Sequence, residues 1–393
     1  MTIAEDLHAA IDLERVVQRT QDMVRLPSVN PFQSSELSPI EGEGAVGDWL
    51  AVELAQLGYD PQRADVADRR PNIWGMSPGT DGPVIALVGH LDTVGVAGYD
   101  GDPFSGDLRD GRIHGRGTCD MKGAFACFLE VAEVLRASAT RLNGRLMIAG
   151  LADEEAAMLG SSAFGQHAPL PDMAIVGEPT ELAICTAHLG QFALPIRTFG
   201  RAAHSSIASQ GVNAIEHMTR VVSGLRQYQA ELDARAGHPM CGSGSVNAGV
   251  IRGGEMVSIV PDWCELEVDR RVAPGETSVD VRAELTSLLE RLEAEVDDFR
   301  WELGAPLVDA APLDTPMGSV VVRAAQKAAQ ARVCPDEVAA FPGATDAPNL
   351  GVPAIIWGPG SLDQAHTVDE FVAVDQLEAA AHLYLDAVLE VIG

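Results

Sequence analysis

The chain has 393 residues, enough for two domains, with 46% hydrophobic and 21% charged residues as in a soluble globular protein. Its 57 acidic against 27 basic residues give a formal charge of −30, a field that repels nucleic acid and anionic membranes and argues against both as partners. The N-terminal stretch MTIAEDLHAAIDLERVVQ lacks a basic segment followed by an apolar one, and no apolar run approaches a membrane span. Six scattered cysteines without CxxC pairing suit reduced thiols, so a cytoplasmic location is expected.

Helical periodicity covers residues 5–25 and 42–58, the second with Val46, Leu50, Leu54 and Leu57 on one stripe. A Pro/Ser-rich loop, PSVNPFQSSELSP, lies between them. Residues 84–89 read as a buried apolar strand that ends in Gly89 and delivers His90, Leu91 and Asp92. Alternation along an extended segment puts His90 and Asp92 on one side. A polar Gly/Asp-rich loop occupies 95–112, and a helix over 121–137 begins just after Asp120. Strand 146–152 leads to Asp153-Glu154-Glu155, and strand 173–177 leads to Glu178. This alternation predicts an α/β fold with a mostly parallel sheet and helices on both faces. Function in such sheets gathers at the carboxyl ends of strands, where His90, Glu154, Glu155 and Glu178 all fall.

From about residue 189 the texture changes. QFALPIRTFG alternates like a half-exposed strand; a loop with His204 follows, then a helix near 212–233. Strands near 244–251 and 257–270, a helix near 277–296 and a strand at 299–303 complete a βαββαβ order, which reads as a ferredoxin-like α+β domain. Helix 315–332 and strand 354–358 resume the earlier style. The expected division is therefore a first domain of 1–188 and 304–393 with an insertion of 189–303, and His366 must fold back to join the earlier residues.

A histidine beside a carboxylate at a buried strand end suits a metal ligand with its orienting partner. With Asp120, the Glu154-Glu155 pair, Glu178 and His366, the set points to a two-metal hydrolase. Zinc takes about four ligands counting water, and two metals roughly 3.5–4 Å apart share a carboxylate and a water. The minimal arrangement has one bridging carboxylate with a histidine and an acid on each side. Residue types alone neither distribute the ligands nor choose between Asp120 and Glu178 as the bridge. Extended backbone turns Glu154 and Glu155 different ways, so that one binds metal while the other faces the water. Zinc suits the His/carboxylate set; cobalt and manganese bind similar sites.

The ordered motifs GHLDTV, GRGTCDMKG (115–123), ADEE (152–155), GEPT (177–180) and QAHTVDE (364–370) resemble the M20 family of metallopeptidases. The likeness is to the branch of acetylornithine deacetylase, succinyl-diaminopimelate desuccinylase and glutamate carboxypeptidase. It implies a zinc-peptidase-like domain with an inserted lid and dimerisation domain, two Zn2+ per chain and a homodimer formed through the insertion. It further implies that Asp120 bridges the metals, that one also takes His90 and Glu178, and that the other takes Glu155 and His366. Glu154 would be the general base, and Asp92 would hold His90 by a hydrogen bond.

The same resemblance assigns substrate contacts. His204, in GRAAHSS, would come from the partner subunit and act as an oxyanion donor. Arg271, in DRRVAPG, would pair with a substrate carboxylate, a task that suits the planar guanidinium, with Arg270 as a rival. Gly343 and Thr345 lie in GATDAPN, which resembles a Gly-rich substrate loop. The chain departs from its relatives at SIVP, where Ser258 stands at a position often held by Asn. The implied activity is cleavage of an N-acyl amino acid, acetyl or succinyl, by metal-activated water; a carboxypeptidase or dipeptidase is the alternative. A metal-binding protein without turnover is a third reading, and Glu154 speaks against it. Cys119 reads as a packing residue, and the remaining histidines as structural or exposed, with His188 at the domain junction the exception.

Overall fold

In the computed structural model, which describes residues 3–32, 38–138 and 142–393, the apolar run Val84–His90 is the strand around which the first unit is laid. Residues 33–37 of the expected loop lie outside the described residues. The chain forms two compact units: Met1–Thr186 with Thr315–Phe341 and Thr345–Gly393, and Ala187–Asp314 with Pro342–Ala344.

The sheet of the first unit runs in the order Gln62–Ala67, Arg70–Met76, Arg145–Leu151, Val84–His90, Met173–Val176, Ala354–Ile356, Ile184–His188. Arg145–Leu151, Val84–His90, Met173–Val176 and Ala354–Ile356 are mutually parallel, and the flanking strands pair antiparallel. Fully buried strands read as continuous apolar runs, which is why these four were legible as sequence. His90 is in register with Leu151, and Val88 with Val176, so three strands release their chains at one edge. Gly89 and Gly177 leave room there for Met121: a Cβ at Gly89 would meet Met121 Cε at 2.3 Å, and one at Gly177 would meet it at 2.8 Å.

Helices Gly123–Ser138, Val320–Ala331 and Val374–Ile392 pack with the sheet into one core, with Phe125, Phe128, Trp357 and Tyr384 buried together. The expected single helix over 5–25 is two, Ile3–Ala9 and Leu13–Val24. Asp12 separates them because its carboxylate accepts from the Glu14 and Arg15 backbone N–H groups, an N-cap that starts the second helix. The expected loop at 95–112 contains the strand Asp107–Arg109, which pairs with Arg112–His114, and Phe371–Ala373 joins on its far side. The hairpin Gln62–Met76, helix Leu159–His167 and helix Val374–Ile392 were not anticipated.

The second unit has sheet order Ser245–Gly253, Trp263–Val272, Gly190–Phe199, Arg300–Leu303, antiparallel throughout. With helices Ala214–Asp233 and Ser278–Glu295 this is the ferredoxin-like arrangement. Alternate residues of Trp263–Val272 are buried, and Leu266 and Val268 meet Met218, Leu225, Leu285 and Leu289 in a separate core. Asn213 caps the first helix, and Thr277 with Asp280 forms a capping box on the second. The strand expected from 257 begins at Trp263, because Gly254 adopts a left-handed φ of +68° and Pro261 offers no N–H to a ladder. Val308–Ala310 also pairs with Gly190–Phe199, so the chain stays with this unit to Asp314. Among the described residues no helix is long and apolar enough to cross a membrane.

Glu130 shows how the first unit carries charge inside. Its carboxylate is fully buried, accepts from Arg15 at 2.6 and 2.7 Å and from Arg19 at 3.3 Å, and also caps the Asp12 N–H at 2.8 Å. Removing one partner of such a pair leaves charge without compensation. Glu130→Ala is expected to lower unfolding stability by about 3 kcal/mol, read from the denaturant midpoint.

Candidate metal centre

The parallel strand ends bring His90, the Asp153-Glu154-Glu155 turn and Glu178 to one place, and the short turn Thr118–Lys122 adds Asp120 from the side. His366, from the loop before Phe371–Ala373, closes the cluster with a left-handed φ of +63°. Asp120 presents a different oxygen to each histidine. Its Oδ1 lies 2.9 Å from His90 Nε2, and its Oδ2 lies 3.3 Å from His366 Nε2. Each histidine has its own glutamate: Glu178 Oε2 is 3.7 Å from His90 Nε2, and Glu155 Oε2 is 3.0 Å from His366 Nε2. His90, Asp120 and Glu155 offer ligand atoms within 4.8 Å of one another.

Burial opposes charge on His90, yet Glu178 and Asp120 outweigh it and hold the imidazole well above its usual pKa. His366 is pushed up to about 10 by Asp120 and Glu155. Burial raises Glu178 to about 7, and burial with the neighbouring carboxylates raises Glu154 and Glu155. Asp120 moves the other way: burial would raise it, but hydrogen bonds from His366 and His90 bring it down. The cluster thus concentrates negative charge that favours positive charge on whatever joins it. Glu178 Oε1 is buried without a hydrogen-bond partner. An orphaned carboxylate oxygen among imidazole and carboxylate donors fits a divalent cation.

A buried network sets the cluster's position. Arg70 donates to Glu43 at 2.6 Å and pairs with Asp153 at 2.7 Å. Asn30 Nδ2 bridges Asp153 at 3.0 Å and Asp92 at 2.7 Å. The Asp92 carboxylate then accepts the backbone N–H groups of Glu154 and Glu155, each at 3.1 Å. This differs from the sequence expectation for Asp92. The ring's Nδ1 faces the Asp92 carbonyl oxygen at 3.0 Å, while the Asp92 carboxylate, near the ring as expected, lies 3.7 Å away.

In the second unit His204 is exposed, and its Nδ1 accepts from the Ser206 N–H at 3.2 Å. In the neutral ring this leaves the proton on Nε2, the form that donates. Ser258 is beside it: its carbonyl accepts from the Ser205 N–H at 2.9 Å. Arg270 is fully buried, paired with Glu276 at 2.8 Å and donating to the Tyr228 hydroxyl at 3.0 Å. Arg271 points to the opposite face, half-exposed, with Asp269 at 3.2 Å. Thr345 is buried and its hydroxyl accepts from the Ala347 N–H at 3.2 Å, while Gly343 is half-buried. His188 is buried with Nδ1 facing the Leu189 carbonyl at 2.8 Å, and burial lowers it to about 4.

Sequence reasoning passed over Asn30, Glu43, Arg70, Asp153 and Asp346. Asp346 is buried, with one oxygen 2.5 Å from the Ser161 hydroxyl, and burial raises it to about 7. Asp153 and Asp346 stood inside motifs already picked out, and their buried settings were the missing signal.

Fold and cluster together define a metal-dependent hydrolase. Residues 86–390 match the model of peptidase family M20/M25/M40, and the chain belongs to that family. It is 32% identical over 363 residues to the acetylornithine deacetylase of Vibrio parahaemolyticus, covering 90% of this chain and 93% of that one. The acetylornithine deacetylase of Proteus mirabilis is 30% identical over 393 residues, covering 95% and 96%. In fold it is similar to a Staphylococcus aureus tripeptidase (TM-score 0.79, 20% identity, covering 97% and 99%) and to human carnosine dipeptidase 1 (TM-score 0.69, 15% identity, covering 99% of each). The protein is therefore a metal-dependent amide hydrolase.

Groups that orient metal ligands typically influence affinity or activity by about 10–100-fold. Asp92→Ala frees two backbone N–H groups beneath Glu154 and Glu155, and is expected to weaken metal binding or turnover by that factor, measured by chelator competition and initial rates.

Proposed function

We propose that the protein is a dizinc amidohydrolase that releases the acyl group, acetyl or succinyl, from an N-acyl amino acid. The observation that carries this is Asp120, whose two oxygens face two histidines, each paired with a different glutamate. In this reading Asp120 would be shared by two metals, one also held by His90 and Glu178 and the other by Glu155 and His366. Zinc held there, or cobalt or manganese in its place, would supply Lewis acidity and a water acidic enough to react near neutral pH.

The chain's own residues then divide the work. Glu154 is half-buried beside Glu155 without being one of the five ligands; its carboxylate takes the water's proton and passes it to the leaving amine. His204, with Nε2 as donor, steadies the developing oxyanion from the partner subunit. Arg271, half-exposed and paired through Nε with Asp269, receives the substrate carboxylate, a role closed to the fully buried Arg270. The loop with Gly343 and Thr345 lines the amino-acid end, and Ser258 lacks the amide donor and acceptor that Asn would bring to substrate recognition.

A homodimer through the second unit is part of the reading. Its edge strand Ser245–Gly253 is exposed along its length, and Val250, Ile251, Met256 and Val257 add exposed apolar surface. Unpaired edges and apolar patches of this kind are where second copies add. The relatives' naming as acetylornithine deacetylases supports the substrate class. A cytoplasmic site of action accords with six unpaired cysteines.

The test is hydrolysis of N-acetylornithine, N-succinyl-diaminopimelate, other N-acyl amino acids and dipeptides, with and without a chelator. Chelator-sensitive release of one acyl group supports the proposal; turnover of dipeptides alone replaces it with the peptidase alternative. Glu154→Gln is expected to keep its metal and lose about 10²–10⁴-fold in kcat. Loss of metal alongside activity in that variant would contradict the role given to Glu154.

A further inference from the structure

One fully buried carboxylate near the cluster is not among the five ligands. Glu370 has no exposed surface, and four donors occupy it. Its Oε1 accepts the backbone N–H groups of Cys119 at 2.9 Å and Asp120 at 3.2 Å. Its Oε2 accepts the Gly117 N–H at 3.0 Å and Arg116 Nη1 at 2.7 Å. Arg116, itself buried, extends the linkage: its Nη2 donates to the Thr367 carbonyl at 2.9 Å, next to His366, and its Nε donates to the Gly95 carbonyl at 3.3 Å. The Glu370 carbonyl accepts from the Gly115 N–H at 3.0 Å and the Tyr99 hydroxyl at 3.1 Å.

We propose that Glu370 and Arg116 are positioning residues of the metal centre, a clamp that fixes the Asp120 turn to the His366 loop. Asp120 and His366 come from distant parts of the chain, and each sits on irregular backbone. Strand pairing joins the two segments only as far as Gly115 and Glu370, so beyond that point side chains carry the linkage to Asp120 and His366. Glu370 fixes the Asp120 N–H directly. Arg116 fixes the carbonyl that follows His366. Because they pair with each other, the two side chains move as one body. All of Glu370's accepting capacity is committed to these contacts, so its part is to orient ligands and not to bind metal. The inference rests on Asp120 and His366 being ligands, and it adds which side chains keep them in register.

Glu370→Gln preserves shape but replaces an acceptor oxygen with an NH2 that faces N–H donors. Arg116→Lys preserves charge but offers a single ammonium where the guanidinium held three acceptors. Each full-length variant, stripped and titrated with Zn2+ against a chromogenic chelator, is expected to bind about 10–100-fold more weakly than wild type. Co2+-loaded Glu370→Gln is expected to show a shifted visible absorption spectrum. Thermal midpoints of the stripped proteins provide the contrast, since a purely structural role would lower the midpoint and leave metal affinity unchanged. That result would overturn the inference, and so would wild-type affinity in both variants. If Glu370→Gln does not fold, Arg116→Lys decides alone by the same criterion. Failure of wild type to bind Zn2+ would instead remove the reading of the centre on which the inference rests.

Discussion

Asp120, Glu154, Glu155 and Glu178, the first and last buried and the middle two half-buried, are held in one cluster against their mutual repulsion, and much of the first unit serves that end. Like charges at this depth raise one another's pKa and would move apart if the backbone allowed it. It does not, because three of the four hang from the ends of parallel strands whose register is fixed along their length. The fourth, Asp120, is held by a turn pressed against Gly89 and Gly177 through Met121. A divalent cation is the natural counterweight to such a cluster, and the two histidines facing opposite oxygens of Asp120 suggest how two would be shared.

Support for the cluster is ionic as well as apolar. Arg70, Glu43 and Asp153 form a buried set beneath the Glu154-Glu155 turn, and Arg116 with Glu370 does the same beneath Asp120. Buried ion pairs bring little net stability compared with apolar packing. Their value here is directional: each carboxylate accepts backbone N–H groups of the very segments that carry the candidate ligands. Such networks specify one geometry, and a metal site tolerates little departure from it.

The parts legible in sequence were those written in local pattern. Val84–Val88 and Leu146–Leu151 are uniformly apolar, so their burial and their strand-end positions could be read directly, and the alternation of Trp263–Val272 marked a one-faced sheet. Residues whose role depends on distant partners were not legible. Arg70 opens a strand inside a hairpin with no clean periodicity, and Glu370 reaches Asp120 across 250 positions. Asp92 was read as a partner of His90 alone; its carboxylate lies 3.7 Å from the ring, and its hydrogen bonds come from Asn30 and the Glu154 and Glu155 N–H groups, partners that no local pattern names. Arg270 and Arg271 were indistinguishable as letters, and one step along the strand sends the first into the core and the second to the open face.

The most direct test of a shared, Asp120-centred pair of metals is stoichiometry. Wild type and Asp120→Ala would be equilibrated with Zn2+, freed of excess, and assayed for metal per chain by atomic spectroscopy, with circular dichroism confirming that both are folded. A bridging Asp120 predicts two ions per wild-type chain and loss of tight binding at both positions in the variant. One ion or none in wild type, or two retained without Asp120, would contradict it.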